Sequence, residues 1–197
     1  MDPNQHLVKT LLNNENVKKC IGFAAKSFQA HNEPAYTLYK ETLNYTCRSQ
    51  GLQPNFPNTP WAATTFNVGT NVVTIPHLDS ANLAFGWCTI TTFGNFNPGW
   101  GGHLILWDLR VYISFPPGST IFIPLAIVVH SNLPIEEGEK HSLMTHYTAG
   151  SLFRWRYNNG CNDKQFEKTA SKEEKLQEEW DNKSWWDEAS KYFHHVS

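Results

Sequence analysis

Apolar residues in the first fifty positions recur at three- and four-residue intervals, the spacing that lines one face of an α-helix. Leu7, Leu11 and Leu12 form one such set, and Val17, Cys20, Ile21, Ala24 and Phe28 form a second. Asn13 and Asn14 fall between them and predict a break. Pro34 fits the first turn of a third helix carrying Tyr36, Tyr39, Leu43 and Tyr45. Helices with one apolar face are expected to pack as a scaffold on the outside of a sheet. A proline- and asparagine-rich stretch, 51–60, predicts the loop that leads out of this helical part.

Beyond residue 60 the period shortens to two and β-branched and aromatic residues dominate, which predicts strands. They are expected at 62–74 with an interruption at Gly69, then at 88–93, 103–107, 110–115, 119–129 and 139–147. The run 119–129 is apolar on both faces, as a strand inside a two-layer sandwich would be. Residues 150–160 suggest a closing strand and turn. From residue 162 the composition turns charged, and 164–192 predicts a surface helix anchored by Phe166, Leu176, Trp180, Trp185, Trp186 and Tyr192. The expectation is a single α+β domain over 1–197: helical support at 1–50, a β core at 60–160 and a C-terminal helix at 162–195.

Composition narrows the function classes. A chain of 197 residues can bury a core without metal or disulfide staples. The four cysteines, Cys20, Cys47, Cys88 and Cys161, are far apart and form no paired ligand motif, so they are expected as reduced thiols. A formal charge of −2 argues against a broad phosphate-binding surface. The N-terminal residues lack an apolar secretory core, and no apolar run reaches membrane-spanning length, so an intracellular monomer with no membrane partner is expected.

Candidate chemistry concentrates between residues 76 and 147. In an extended strand His77 and Asp79, two apart, project to the same side and offer an imidazole and a carboxylate together. His130, at the end of the apolar run, is the best third ligand. Two histidines and one carboxylate on one face of a metal form the triad of non-haem Fe(II) oxygenases, with the opposite face open for substrates. Lys140 and Ser142 share a strand face, and a cation beside a hydroxyl makes a carboxylate anchor.

His77, Asp79 and Asn82, the stretch Gly101 to Leu104, His130, and Lys140 with Ser142 resemble the ordered motifs of Fe(II)/2-oxoglutarate-dependent dioxygenases. The His-x-Asp-x-x-Asn form is similar to the TET/JBP branch, and the text around Asn82 and from Ala149 to Trp155 to its fungal members. The resemblance covers about residues 60 to 160. It implies a double-stranded β-helix, a cupin-like jelly roll. It implies Fe(II) on His77, Asp79 and His130, and 2-oxoglutarate as cosubstrate with O2, hydroxylating a C–H bond with release of succinate and CO2. Lys140 and Ser142 would bind the far carboxylate and Asn82 the cosubstrate. His103 either reaches toward the cosubstrate or is structural. The branch has Arg where this chain has Lys140, whereas prolyl hydroxylases use Lys at a similar distance past the second histidine.

The same resemblance implies 5-methylcytosine or thymine in DNA as substrate, with the base flipped from the duplex. A protein side chain or a small metabolite would suit the same chemistry, and a non-catalytic cupin-like metal-binding module is the rival from another class. Arg154 and Arg156, interleaved with Phe153, Trp155 and Tyr157, either contact nucleic acid or pair with nearby carboxylates. His141 and His146 lie on opposite faces of the 139–147 strand, as ligand-supporting or packing residues.

Overall fold

The computed structural model describes residues 3–177 together with 187, 189, 190 and 192. Three helices open the chain: α1 (Pro3–Asn13), α2 (Glu15–His31) and α3 (Glu33–Gln50). The expected break falls at Asn14, whose side chain accepts from the amides of Asn16 and Val17 and so caps α2. Asn32 does the same for α3 through Ala35 N, with Pro34 in the first turn, and Gly51 ends α3 in the left-handed conformation.

Seven strands follow: β1 (Ala63–Asn67), β2 (Cys88–Asn95), β3 (Leu104–Leu106), β4 (Val111–Ile113), β5 (Thr120–Ile123), β6 (His130–Asn132) and β7 (Lys140–Tyr147). They form two antiparallel sheets, ordered β1-β7-β2-β5 and β4-β3-β6. The sheets face each other across an apolar core in which Cys88, Ile90, Ile123 and Leu143 of one meet Leu104 and Leu106 of the other. The outer face of the larger sheet carries the helices. Phe28 of α2 stacks on Phe122 and on Trp61, Trp61 stacks on the His146 ring, and Met144 packs with Ile21 and Phe56. Gly94 lets β2 pass close to β7, because a Cβ there would run into the Lys140 carbonyl.

Four expectations need correction. The apolar run 119–129 is not one strand: Pro124 has no amide hydrogen to continue the ladder, and Ile127 N and Val128 N turn back onto its carbonyl. The chain leaves the larger sheet there and re-enters the smaller one as β6. Residues 71–79 pair only through the isolated bridges Asn71 to His141 and His77 to His130, so the His77 segment is a sheet-edge strap. Residues 150–157 are a helix, α4 (Gly150–Tyr157), because Gly150 and Phe153 are buried three apart and Phe153 meets Tyr39 edge-on at 5.0 Å. The charged C-terminal stretch is not continuous either: α5 (Asp163–Thr169) stops at Ala170, and Ser171 with Glu174 caps a new helical start. Trp180, Trp185 and Trp186 lie outside the described residues. Tyr192 stacks on Phe85 at 5.5 Å.

Candidate metal centre

Strand pairing brings the metal-ligating candidates together. His77 and His130 exchange backbone hydrogen bonds, His77 N to His130 O at 3.1 Å and His130 N to His77 O at 3.0 Å, so their rings sit with centroids 4.2 Å apart. Asp79, tied by its amide to Leu125 O at 3.0 Å, projects to the side of His77. Its Oδ1 lies 3.7 Å from His77 Nε2. One ligand atom from each of His77, Asp79 and His130 lies within 4.8 Å of the others, close enough to share one metal ion.

The proton positions suit a metal. His77 Nδ1 is 2.7 Å from Ile75 O and His130 Nδ1 is 3.0 Å from Val128 O. A carbonyl only accepts, so both Nδ1 atoms carry the hydrogen and both Nε2 atoms present a lone pair. Backbone acceptors of this kind orient metal-ligating imidazoles. Burial lowers the pKa of His130, which favours the neutral, ligating form. Cys88, close to Asp79, is pushed up to about 12 by burial and stays a neutral thiol.

The three groups line a cavity of about 420 Å³ between the sheets. Asn82 lines it too and is buried, its amide donating to Cys88 Sγ at 3.3 Å. Its far wall is β7, which contributes His141, Leu143, Thr145 and Tyr147.

Side chains alternate along a strand, so Lys140 and Ser142 fall on the opposite face and do not line the cavity. Lys140 is exposed, and Ser142 Oγ donates to Gly69 O at 3.4 Å. Both depart from the expected carboxylate anchor. His103 departs as well: Gly102 and Leu104 line the cavity, while His103 is buried beyond it, edge-on to Tyr112 at 5.6 Å. Arg154 pairs with Asp163 at 3.3 Å and Arg156 with Glu41 at 2.7 Å, the pairing with nearby carboxylates that was one of the two expectations.

Two further cavity residues are Asn132, which the sequence did not single out, and His141, expected as a ligand-supporting or packing residue. Asn132 accepts from Thr74 N and Thr74 Oγ1 and donates to Val72 O, fastening the strap to β6. His141 donates from Nδ1 to Val72 O at 3.0 Å, and its buried Nε2 has no partner. All four cysteines are free. Among the described residues no helix is long and apolar enough to cross a membrane.

No family model and no curated protein matches the chain. Solved structures similar to part of it include NgTET1 in complex with 5mC DNA, with 19% identity over 49% of this chain and 37% of that one, at a TM-score of 0.42. The viral collagen prolyl hydroxylase of Paramecium Bursaria Chlorella virus-1, in its 2OG complex, is 17% identical over 43% of this chain and 59% of its own, with a TM-score of 0.32. A truncated form of the same hydroxylase gives 17% identity, coverage of 42% and 52%, and the same TM-score of 0.32. The chain spans less than two thirds of each.

Proposed function

We propose that this chain is an Fe(II)- and 2-oxoglutarate-dependent oxygenase that hydroxylates a C–H bond. The observation that carries the reading is the meeting of His77, His130 and the Asp79 carboxylate at the wall of one cavity. Two imidazoles and one carboxylate leave half of an octahedral ion open, which suits a chelating cosubstrate and O2 rather than a sealed structural metal. The strand order supports a double-stranded β-helix, because the last four strands, β4 to β7, alternate between the two facing sheets around this cavity. Its size suits a ligand of a few heavy atoms together with the reacting end of a substrate.

Fe(II), 2-oxoglutarate and O2, when bound, supply an oxidant that inserts oxygen into a C–H bond as succinate and CO2 are released. The chain's own groups prepare the place. The Ile75 and Val128 carbonyls fix the ligating tautomer of the two imidazoles. Ile90, Leu104, Phe115, Leu125 and Leu143 form the apolar side of the cavity, while His77 and Asp79 stay partly exposed at its mouth. Leu78, exposed beside the ligands, lies on the side where a substrate enters.

The same chemistry suits several primary substrates: a methylated base in DNA, which the sequence resemblance implies, is the first to test, with a protein side chain or small metabolite next. Anaerobic titration with Fe(II) and then 2-oxoglutarate is expected to raise a long-wavelength charge-transfer absorption that His77→Ala abolishes. Folded, iron-loaded protein without that absorption overturns the reading. Mass spectrometry of a 5-methylcytosine oligonucleotide after aerobic turnover then separates DNA from the other substrate classes.

A further inference from the structure

The proposed cosubstrate is a dicarboxylate, and among the described residues no lysine or arginine lines the cavity that would receive it. His77 and His130 are committed to the metal. One side chain remains that can become a cation there, and it is one residue beyond the lysine singled out by sequence. The geometry points to His141 as the anchor of the far carboxylate of the bound 2-oxo acid, in place of Lys140; this rests on the oxygenase reading above.

Three observations support the assignment. His141 stands on the cavity face of β7, in line with Leu143, Thr145 and Tyr147. Its ring is held from two sides: Nδ1–H donates to Val72 O, and the ring lies perpendicular to Phe96 with centroids 4.9 Å apart. The Val72 carbonyl is itself fixed by Asn132 Nδ2 at 2.7 Å. With Nδ1 so used, Nε2 is left buried and unpartnered in the protein. A buried polar atom without a partner is costly, and a carboxylate oxygen would supply one.

This anchor differs from a lysine in being a switch. Burial lowers the pKa of His141, with the Val72 carbonyl opposing, so the free ring is largely neutral near pH 7 and its Nε2 presents a lone pair that repels an anion. Binding a carboxylate therefore takes up a proton at Nε2, which then donates. Above the pKa of the free ring, affinity falls by roughly tenfold per pH unit. Of the titratable groups around it, His77, Asp79, His130 and Tyr147 line the same cavity. The backbone packed against it, residues 70–72 and 94–96, carries none. Lys140 faces away, and the Glu139 carboxylate accepts from Asn97 N and Glu136 N.

The test is anaerobic calorimetry on the full Fe(II)-loaded chain, in two buffers of different ionisation enthalpy. 2-Oxoglutarate is compared with 2-oxobutyrate, which chelates equally and lacks the far carboxylate. The wild type is expected to take up close to one proton with 2-oxoglutarate and none with 2-oxobutyrate. His141→Gln should lose at least about tenfold in 2-oxoglutarate affinity and leave 2-oxobutyrate unchanged. His141→Lys should bind 2-oxoglutarate without proton uptake, and Lys140→Ala should match the wild type. Equal 2-oxoglutarate affinity in wild type and His141→Gln, or a loss in Lys140→Ala, overturns the anchor alone. Iron-loaded wild type that binds neither oxo acid overturns the oxygenase reading and the anchor with it.

Discussion

His77 and His130 are joined by a reciprocal pair of backbone hydrogen bonds, 3.1 and 3.0 Å long, that sets their rings 4.2 Å apart across the edge of the smaller sheet. The main chain brings the two imidazoles to one sheet edge, and ligands held by the backbone lose little freedom on binding an ion.

Because the pairing uses only backbone atoms, His77→Ala should remove the metal and keep the fold. The ring is only partly buried, and its loss should change unfolding free energy by no more than about 1 kcal/mol. Metal analysis after Fe(II) loading and thermal unfolding of the same sample check both halves. A collapse in stability would mean that the ring carries structure.

Asn132 is expected to matter to the strap and, through it, to the site. Its side chain satisfies Thr74 N, Thr74 Oγ1 and Val72 O, and Asn132→Ala leaves the two Thr74 groups without this partner and Val72 O with His141 Nδ1 alone. A cost of about 2 kcal/mol follows, with faster amide exchange at Thr74. His141 Nδ1 shares the Val72 acceptor, so 2-oxoglutarate affinity should fall as well. Hydrogen exchange and calorimetry on the one variant read both.

His146, on the helix-facing side of β7, predicts an acid-labile core. It is fully buried, stacked on Trp61, and burial lowers its pKa to about 4 from 6.5. The folded value is depressed, so the neutral ring's contribution is complete above about pH 6.5 and drains away as pH falls toward 4. The loss should reach about 3 kcal/mol. Denaturant unfolding of wild type and His146→Gln across this range should show the wild type alone losing that increment.

Much of the layout was legible because short-range chemistry decides it. Asn14, Asn32 and Pro34 mark helix starts by their capping geometry, and α1 to α3 follow from them. The convergence of His77 with Asp79 follows from alternation along an extended segment. The face of β7 was not legible, because both faces are buried: Leu143 sits in the inter-sheet core and Met144 under the helices. Polarity therefore gave no sign that His141, rather than Lys140 and Ser142, meets the cavity. Residues 150–157 alternate arginine with aromatics as a strand would, and only packing of Phe153 against α3 makes them helical. Arg156 reaching Glu41 and Thr42 of α3 belongs to that same docking.

The central claim is that His77, Asp79 and His130 hold an iron that couples 2-oxoglutarate to O2. The most direct measurement is succinate formed per bound Fe(II) when anaerobic protein with 2-oxoglutarate is exposed to O2 in a single turnover. Close to one succinate per iron is predicted for the wild type, and none for His77→Ala or Asp79→Ala. Folded wild type that holds stoichiometric iron and yields no succinate contradicts it.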